Sequence, residues 1–181
     1  MKFDKMYTFA FLDLEMTGLN VNKDRILETA LVISDSQLNQ TLEGPCRVIH
    51  QDESVLQNMN EWCIQHHGQS GLTQAVRESC FELAEVEAEL LEFLTQHMVA
   101  GEAILCGNSI HTDRRFLNQY MPKIDEFFHY RMLDVSVFKI VSEHWYDQFP
   151  VMEKKNNHRA VDDIYESINE LKHYRKHLLN L

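Results

Sequence analysis

Residues Tyr7–Leu14 form a short, aromatic-rich and mostly apolar run, and this run constrains the fold more than any other segment. Its length and composition are typical of a β-strand that is buried on both faces. Two further apolar runs follow closely at Ile26–Ser34 and Cys46–His50, with polar turns between them. Three such closely spaced runs predict an antiparallel meander in the first third of the chain.

Helical periodicity dominates the second half of the chain, where apolar residues recur at intervals of three and four. The expected helices are Phe81–Met98, Arg114–Met121, Ser136–Trp145 and Ala160–Leu179, and the expected strands are Ala103–Cys106 and a segment within Phe127–Val135. The polar residues Gln148–Asn157 are expected to form a mobile loop. Strands that alternate with helices, without a repeat or a linker, predict one α/β domain over residues 1–181.

The chain is acidic, since its 17 Lys and Arg and 28 Asp and Glu residues give a formal net charge of −11. Affinity for long nucleic acid usually rests on Lys and Arg that neutralise phosphates, so this charge excludes a basic DNA-coating protein. It also argues against attachment to anionic lipid. Much of the balance comes from glutamates in the helix predicted at Phe81–Met98, which we expect to form a solvated face. These are Glu82, Glu85, Glu87, Glu89 and Glu92.

The four cysteines follow no zinc-ribbon or CxxC spacing. We therefore expect free thiols, which are typical of a reducing cytoplasm. No segment has the ~18 consecutive apolar residues of a membrane span. The first residues are charged and lack the apolar core of a signal peptide. The expected location is therefore the cytoplasm.

Acidic residues stand at the ends of the predicted elements. Asp13 and Glu15 lie two residues apart at the end of the first strand, so their side chains point to the same face. Asp113 follows the short strand that ends at a Gly-Asn-Ser turn, the edge at which ligands of α/β sheets gather. Asp163 lies at the start of the last helix, and its neighbour Asp162 points about 100° away. Singly, these acids have simpler explanations, such as a solvated strand end or a favourable helix N-terminus.

Taken together, the acids indicate a metal centre. The carboxylates of Asp13, Glu15, Asp113 and Asp163 are hard oxygen ligands that favour Mg²⁺ or Mn²⁺ over zinc. Two such ions ~4 Å apart can clamp the attacking and leaving oxygens of a phosphodiester hydrolysis. His158 precedes the last helix, and histidine is suited to act as a general base near neutral pH. The alternative is that His158 is one of ten histidines without a catalytic role.

Three segments resemble the sequence motifs of the DEDDh exonucleases. They are residues Phe11–Leu19, Cys106–Phe116 and His158–Ile164. The resemblance extends over nearly the whole chain, and residues Tyr130–Ser136 add to it. It implies a ribonuclease H-like fold, with a mixed five-stranded sheet flanked by helices. It also implies a 3′-to-5′ exoribonuclease that hydrolyses very short RNA, dinucleotides above all, to nucleoside 5′-monophosphates. In this family Asp13, Glu15, Asp113 and Asp163 would bind two metal ions and His158 would be the base.

The resemblance also implies contacts to the substrate. Leu19 and Trp62 are similar to residues that contact and stack on the terminal bases, although a core aromatic is the simpler explanation of Trp62. His67 is similar to a further substrate contact. A group that receives the 5′-phosphate is implied at Ser109, Arg131 and Ser136. The family forms homodimers, and Tyr130 resembles an aromatic residue that reaches the active site of the other subunit.

The sequence is compatible with two alternatives. A proofreading or DNA-trimming exonuclease of the same fold would share every metal ligand, although Trp62 and the Tyr130–Ser136 segment favour short RNA. A binding module without catalysis would carry the same acids as surface charges and would show no metal dependence. The expected partners are short RNA and a second copy of the chain, with neither a membrane nor long nucleic acid.

Overall fold

The computed structural model describes residues 7–150 and 159–179, so His158 and most of the loop expected at Gln148–Asn157 lie outside the described residues. Within this part, the chain forms five strands and eight helices. The strands are β1 (Phe9–Met16), β2 (Ile26–Ser34), β3 (Thr41–Val48), β4 (Ile104–Gly107) and β5 (Met132–Asp134). The helices are α1 (Glu53–Gln57), α2 (Glu61–Gln69), α3 (Leu72–Glu78), α4 (Leu83–His97), α5 (His111–Tyr120), α6 (Pro122–Phe127), α7 (Ser136–Trp145) and α8 (Ala160–His177).

The five strands form one sheet in the order β3-β2-β1-β4-β5. The first three strands pair antiparallel, as the meander predicts, whereas β4 pairs parallel with β1 and with β5. The prediction of a mixed five-stranded sheet flanked by helices is confirmed. The third strand begins at Thr41 rather than at Cys46, because it lies at the edge of the sheet and tolerates the exposed polar residues that precede Cys46.

Strand β1 lies at the centre of the sheet and is covered on both faces, as its apolar sequence predicts. Leu12 and Leu14 pack in a buried cluster with α4, α5 and α6, whereas Phe11 packs on the opposite face with Ile164 of α8. Alternate residues of a strand share a face. Asp13 and Glu15 lie two and four residues after Phe11 in β1, so they share its face and point towards α8.

The helices confirm most of the sequence pattern, with one correction on α4. Glu87 is 8% exposed and does not belong to a solvated face. Its carboxylate accepts a hydrogen bond of 2.9 Å from the backbone amide of Lys123 in α6, and this contact explains why a charged residue is buried at the α4–α6 contact. Helix α5 begins at His111, earlier than expected, which brings Asp113 into its first turn.

The cysteines confirm the expectation of free thiols. Cys63 and Cys106 are buried, Cys46 is half-buried and Cys80 is exposed. Burial raises the pKa of the Cys106 thiol, which therefore behaves as a small apolar group of the core. Among the helices of residues 7–150 and 159–179, none has both the length and the apolar character that crossing a bilayer requires.

Candidate active site

Three of the predicted acids meet at the end of β1. Asp13, Glu15 and Asp163 each offer a carboxylate oxygen, and these oxygens lie within 4.8 Å of one another. Asp13 and Glu15 come from one face of β1, and Asp163 comes from the first turn of α8, which packs on that face. Asp162 is exposed on the adjoining position of the helix, as predicted. We call Asp13, Glu15 and Asp163 the acidic cluster.

Asp113 approaches the same strand from α5. Its side chain is 6% exposed, and Oδ1 accepts a hydrogen bond of 3.1 Å from the backbone amide of Leu14. Leu14 stands between Asp13 and Glu15, so this bond fixes Asp113 against the backbone that carries both acids. The fourth predicted acid therefore lies beside the acidic cluster and is not a merely favourable residue at a helix N-terminus.

Burial and mutual repulsion make these acids costly to ionise. Burial, followed by the charges of Asp113 and Glu15, raises the pKa of Asp13 well above its usual range. Burial and the charge of Asp163 raise the pKa of Glu15 to about 8. Burial raises the pKa of Asp113 to about 7 in spite of the hydrogen bond from Leu14. A divalent cation would remove this repulsion, and an all-oxygen donor set fits a hard cation such as Mg²⁺ or Mn²⁺.

A pocket of about 380 Å³ opens directly beside the acidic cluster. Glu15 lines it together with Leu19, Trp62 and His67, so three of the predicted substrate contacts lie in one place. Leu19 is 70% and Trp62 55% exposed. The alternative that Trp62 is a core aromatic is therefore wrong. Its indole instead stacks on the His66 ring, with ring centroids 3.9 Å apart.

A hydrogen-bonded turn presents Leu19 at the rim of this pocket. The carboxylate of Asp24 accepts from the Thr17 hydroxyl at 3.1 Å and from the Asn20 amide at 2.8 Å. Gly18 packs directly on that carboxylate, since a Cβ at this position would lie 2.5 Å from Oδ2 of Asp24. An exposed apolar side chain is thus held on a tight turn, which reduces the entropy that it would lose on contact with a ligand.

His67 lies behind the exposed residues and is only 2% exposed. Its Nε2 lies 2.9 Å from the Met16 carbonyl oxygen, so Nε2 carries the proton and donates it. Its Nδ1 lies 3.9 Å from Oε2 of Glu15. His67 therefore ties α2 to the end of β1 and borders the acidic cluster.

Ser109 follows the end of β4 and Ser136 follows the end of β5, and both lie around the carboxylate of Asp134, which was not predicted as a site residue. The amides of Ser109 and Ser136 both donate to Oδ1 of Asp134, at 2.9 and 3.0 Å. The Ser109 amide also lies 2.9 Å from the Ser136 hydroxyl, which donates to the Asn108 side chain. His111 Nδ1 lies 3.2 Å from the other oxygen of Asp134.

Tyr130 and Arg131 lie on the exposed segment that leads into β5. Tyr130 is 71% exposed and stacks on the His129 ring. The Arg131 guanidinium carbon lies 5.2 Å from the centroid of the Tyr130 ring. Arg114 donates to the backbone carbonyls of His129 and Tyr130 and so fixes this segment to α5. Both residues are accessible to a ligand or to a second protein.

The residues that organise this site but escaped the sequence reasoning are Asp24, Glu28, Asp134 and Arg159. A signal existed for Glu28, which is a charged residue inside the otherwise apolar run Ile26–Ser34. Such a residue is buried only when it is paired. The others have no comparable signal, because their partners are backbone amides or residues that lie far along the chain.

The chain matches known nucleases over nearly its whole length. Residues 10–171 match the family model RNase_T, described as exonuclease. An oligoribonuclease of Marinobacter nauticus is 53% identical over 94% of this chain and 96% of that protein. A probable oligoribonuclease of Dictyostelium discoideum is 52% identical over 91% of this chain and 87% of that protein.

A solved structure shares the fold at much lower identity. It is a zinc-bound complex of exonuclease I of E. coli with single-stranded DNA, with a TM-score of 0.67 and 18% identity. The match covers 93% of this chain, which spans 40% of the length of that structure. The likeness confirms the predicted ribonuclease H-like architecture.

Proposed function

The chain belongs to the exonuclease family as a 3′-to-5′ exoribonuclease, and from this premise we propose that it degrades very short oligoribonucleotides, dinucleotides above all, to nucleoside 5′-monophosphates. The observation that carries the proposal is the acidic cluster, which borders a pocket of about 380 Å³ with exposed Leu19 and Trp62 at its rim. We further propose that residues 1–181 form a single exonuclease domain that works in the cytoplasm.

The acids are proposed to hold two divalent ions, Mg²⁺ or Mn²⁺, through Asp13, Glu15, Asp113 and Asp163. Bound there, the ions would lower the pKa of a water molecule and neutralise the charge on the leaving 3′-oxygen. His158 is proposed to accept the proton of that water. The water oxygen bonds to phosphorus as the bond to the 3′-oxygen breaks, which releases a nucleoside 5′-monophosphate. His158 lies two residues before the start of α8 in the sequence, and its role rests on the family resemblance.

The pocket beside the acids supports a preference for the end of a chain. Trp62 offers a flat π-face, on which every base can stack, so recognition there tolerates any sequence. Leu19 would contact the second base from the rigid turn, and His67 would border the substrate. A pocket of this size, flanked by two exposed apolar side chains, suits one or two bases better than a long strand.

Ser109, Arg131 and Ser136 are proposed to receive the 5′-phosphate. The backbone amides of both serines already donate to Asp134, and the Ser136 hydroxyl donates to Asn108, so the donors that remain are the Ser109 hydroxyl and the Arg131 guanidinium. Arg can grip a phosphate through two parallel hydrogen bonds. A substrate with one or two phosphates needs only such a few donors, which reconciles the proposal with a net charge of −11.

A second copy of the chain is proposed to complete the site. Tyr130 is 71% exposed on the segment next to Arg131, where an aromatic ring is available to reach a neighbouring subunit. The proposed assembly is a homodimer in which Tyr130 of each subunit contacts the substrate of the other. Sedimentation of the wild-type chain at micromolar concentration tests this assembly, and a monomer would contradict it.

A comparison of substrate lengths tests the proposed function. The purified chain should hydrolyse 5′-phosphorylated RNA dinucleotides faster than longer RNA or matched DNA, with Mn²⁺ and not with chelator. Asp163→Asn should abolish this hydrolysis, whereas Asp162→Asn, on the adjoining exposed position of α8, should retain it. Faster cleavage of long RNA would indicate a general exoribonuclease, and a preference for DNA would indicate a DNA-trimming enzyme.

A further inference from the structure

An ion pair between Glu28 and Arg159 lies next to the acidic cluster. Glu28 is 1% exposed in β2. Nη2 of Arg159 donates to Oε1 of Glu28 at 2.6 Å, and Nε of Arg159 lies 3.2 and 3.3 Å from the two carboxylate oxygens. The backbone amide of Ala160 donates to Oε2 at 3.2 Å. Glu28 therefore pairs with Arg159 and satisfies the first amide of α8 at the same time.

The same contacts connect two elements that carry the acids. Glu28 stands directly opposite Glu15 in the register of β1 and β2. The amide of Asp163 donates to the Arg159 carbonyl at 3.1 Å, so Arg159 and Asp163 belong to one helical turn. The turn that carries Asp163 is thus fixed to the strand next to the one that carries Glu15.

A carboxylate at this position is unfavourable for its neighbours. The charge of Glu28 raises the pKa of both Asp13 and Glu15, and that of Arg159 lowers the pKa of Glu15. Glu28 is buried whereas the Arg159 side chain is 41% exposed, so the desolvation of Glu28 offsets part of an attraction that solvent also screens. The geometry of the pair, rather than its charge, accounts best for its place beside the acids.

We propose that the Glu28–Arg159 pair positions the metal ligands, by holding the first turn of α8 so that Asp163 stays in the acidic cluster. This inference rests on the proposed function. Glu28 and Arg159 are positioning residues, since they act through Asp163 and do not ligate an ion themselves. The pair works as an outer layer around the ligands, and such partners typically contribute about 10- to 100-fold to metal affinity or activity.

Arg159→Met separates this role from simple electrostatics. The substitution removes a positive charge next to an acidic site, so attraction alone predicts tighter Mn²⁺ binding. If Arg159 positions Asp163, the substitution should instead make Mn²⁺ binding about 10- to 100-fold weaker. The change should lower kcat on a 5′-phosphorylated dinucleotide while KM stays close to that of the wild type, because the substrate pocket is untouched.

On the full chain, calorimetry measures the Mn²⁺ affinity, and steady-state kinetics measure kcat and KM for the dinucleotide. Arg159→Lys keeps the charge without the planar fork and should restore part of the affinity. Arg175→Met is the matched control, since Arg175 donates to the Gln37 carbonyl at 2.6 Å from the far end of α8. It lies about 18 Å along the helix from Asp163 at a rise of 1.5 Å per residue, and its loss should leave Mn²⁺ affinity unchanged.

Mn²⁺ affinity in Arg159→Met that equals or exceeds that of the wild type, with unchanged kcat, would overturn the inference. A purely structural role would lower the thermal midpoint alone. Should Arg159→Met fail to fold, Glu28→Gln keeps the shape of the buried side chain and should show the same fall in kcat at unchanged KM. A wild-type chain that neither binds Mn²⁺ nor cleaves the dinucleotide would refute the proposed function instead.

Discussion

Removal of the Trp62 indole should weaken the enzyme without unfolding it. The side chain is 55% exposed at the rim of the pocket, and its ring stacks on the half-buried His66. Surface substitutions of this kind usually change the free energy of unfolding by no more than about 0.5 kcal/mol. Trp62→Ala should therefore keep the thermal midpoint while it removes the surface on which a terminal base would stack.

The expected loss follows from the energy of stacking. One base on an aromatic side chain contributes ~1–3 kcal/mol. At about 1.4 kcal/mol for each factor of ten, kcat/KM for a dinucleotide should fall about 5- to 140-fold. Because the base does not take part in bond breaking, the loss should appear in KM rather than in kcat. Trp62→Phe keeps a π-face and should lose much less.

Initial rates on a 5′-phosphorylated dinucleotide, over a range of concentrations, measure this effect. Trp145→Ala is the control, since Trp145 is 77% exposed at the end of α7 and lies outside the lining of this pocket. Equal losses from the two alanine variants would show that exposed tryptophans act through solubility or assembly. A wild-type kcat/KM in Trp62→Ala would refute stacking altogether.

Three other perturbations test the geometry of the site. Asp113→Asn and Asp113→Ala should both abolish hydrolysis, but the alanine variant should be less stable by ~1–3 kcal/mol in chemical denaturation, since the Leu14 amide loses its buried acceptor. Gly18→Ala should raise KM and cost ~1–3 kcal/mol of stability, because its Cβ would press on the Asp24 carboxylate. In the metal-free protein the pKa of Glu15 is raised from 4.5 to about 8, and that of Asp113 from 3.8 to about 7. Because the fold favours the protonated form of both groups, their contribution to stability is fully present at a pH below the ordinary pKa values. That stabilisation is lost as pH rises through the raised values, so the thermal midpoint in chelator should fall between about pH 5 and 9, and Mn²⁺ should restore it most at high pH.

Each of these tests has a matched control. Gly68→Ala on α2 meets no atom within 4 Å and should be neutral or slightly stabilising, so an equal loss in both glycine variants would contradict the steric argument. Equal stability of the two Asp113 variants would show that the bond to Leu14 contributes nothing. Glu126→Gln removes an exposed charge and should leave the pH dependence as it is, whereas Asp13→Asn should flatten it.

Spacing alone predicted the part of the site that is local in sequence. Asp13 and Glu15 share a face because a strand has a period of two, and Asp163 faces them because α8 packs on that side. The central strand was likewise predictable, since only burial on both faces explains an apolar run around Phe11.

The remaining features depend on partners that no local pattern contains. Glu87 is buried because the Lys123 amide needs an acceptor, and Glu28 because Arg159 and α8 need an anchor. Trp62 is exposed because α2 packs through Cys63 and His67, which leaves Trp62 on the outer side of this short helix. Hydrophobicity alone would place an indole in the core, and only tertiary packing decides otherwise.

The central position of β1 has a consequence for the time at which the enzyme becomes active. Its two acids are translated well before Asp163, which reaches them only when α8 docks on the sheet. Asp13 and Glu15 therefore lack the third member of the acidic cluster until α8 has been synthesised and has docked. On the proposed function, nuclease activity therefore requires that α8 has docked on the sheet.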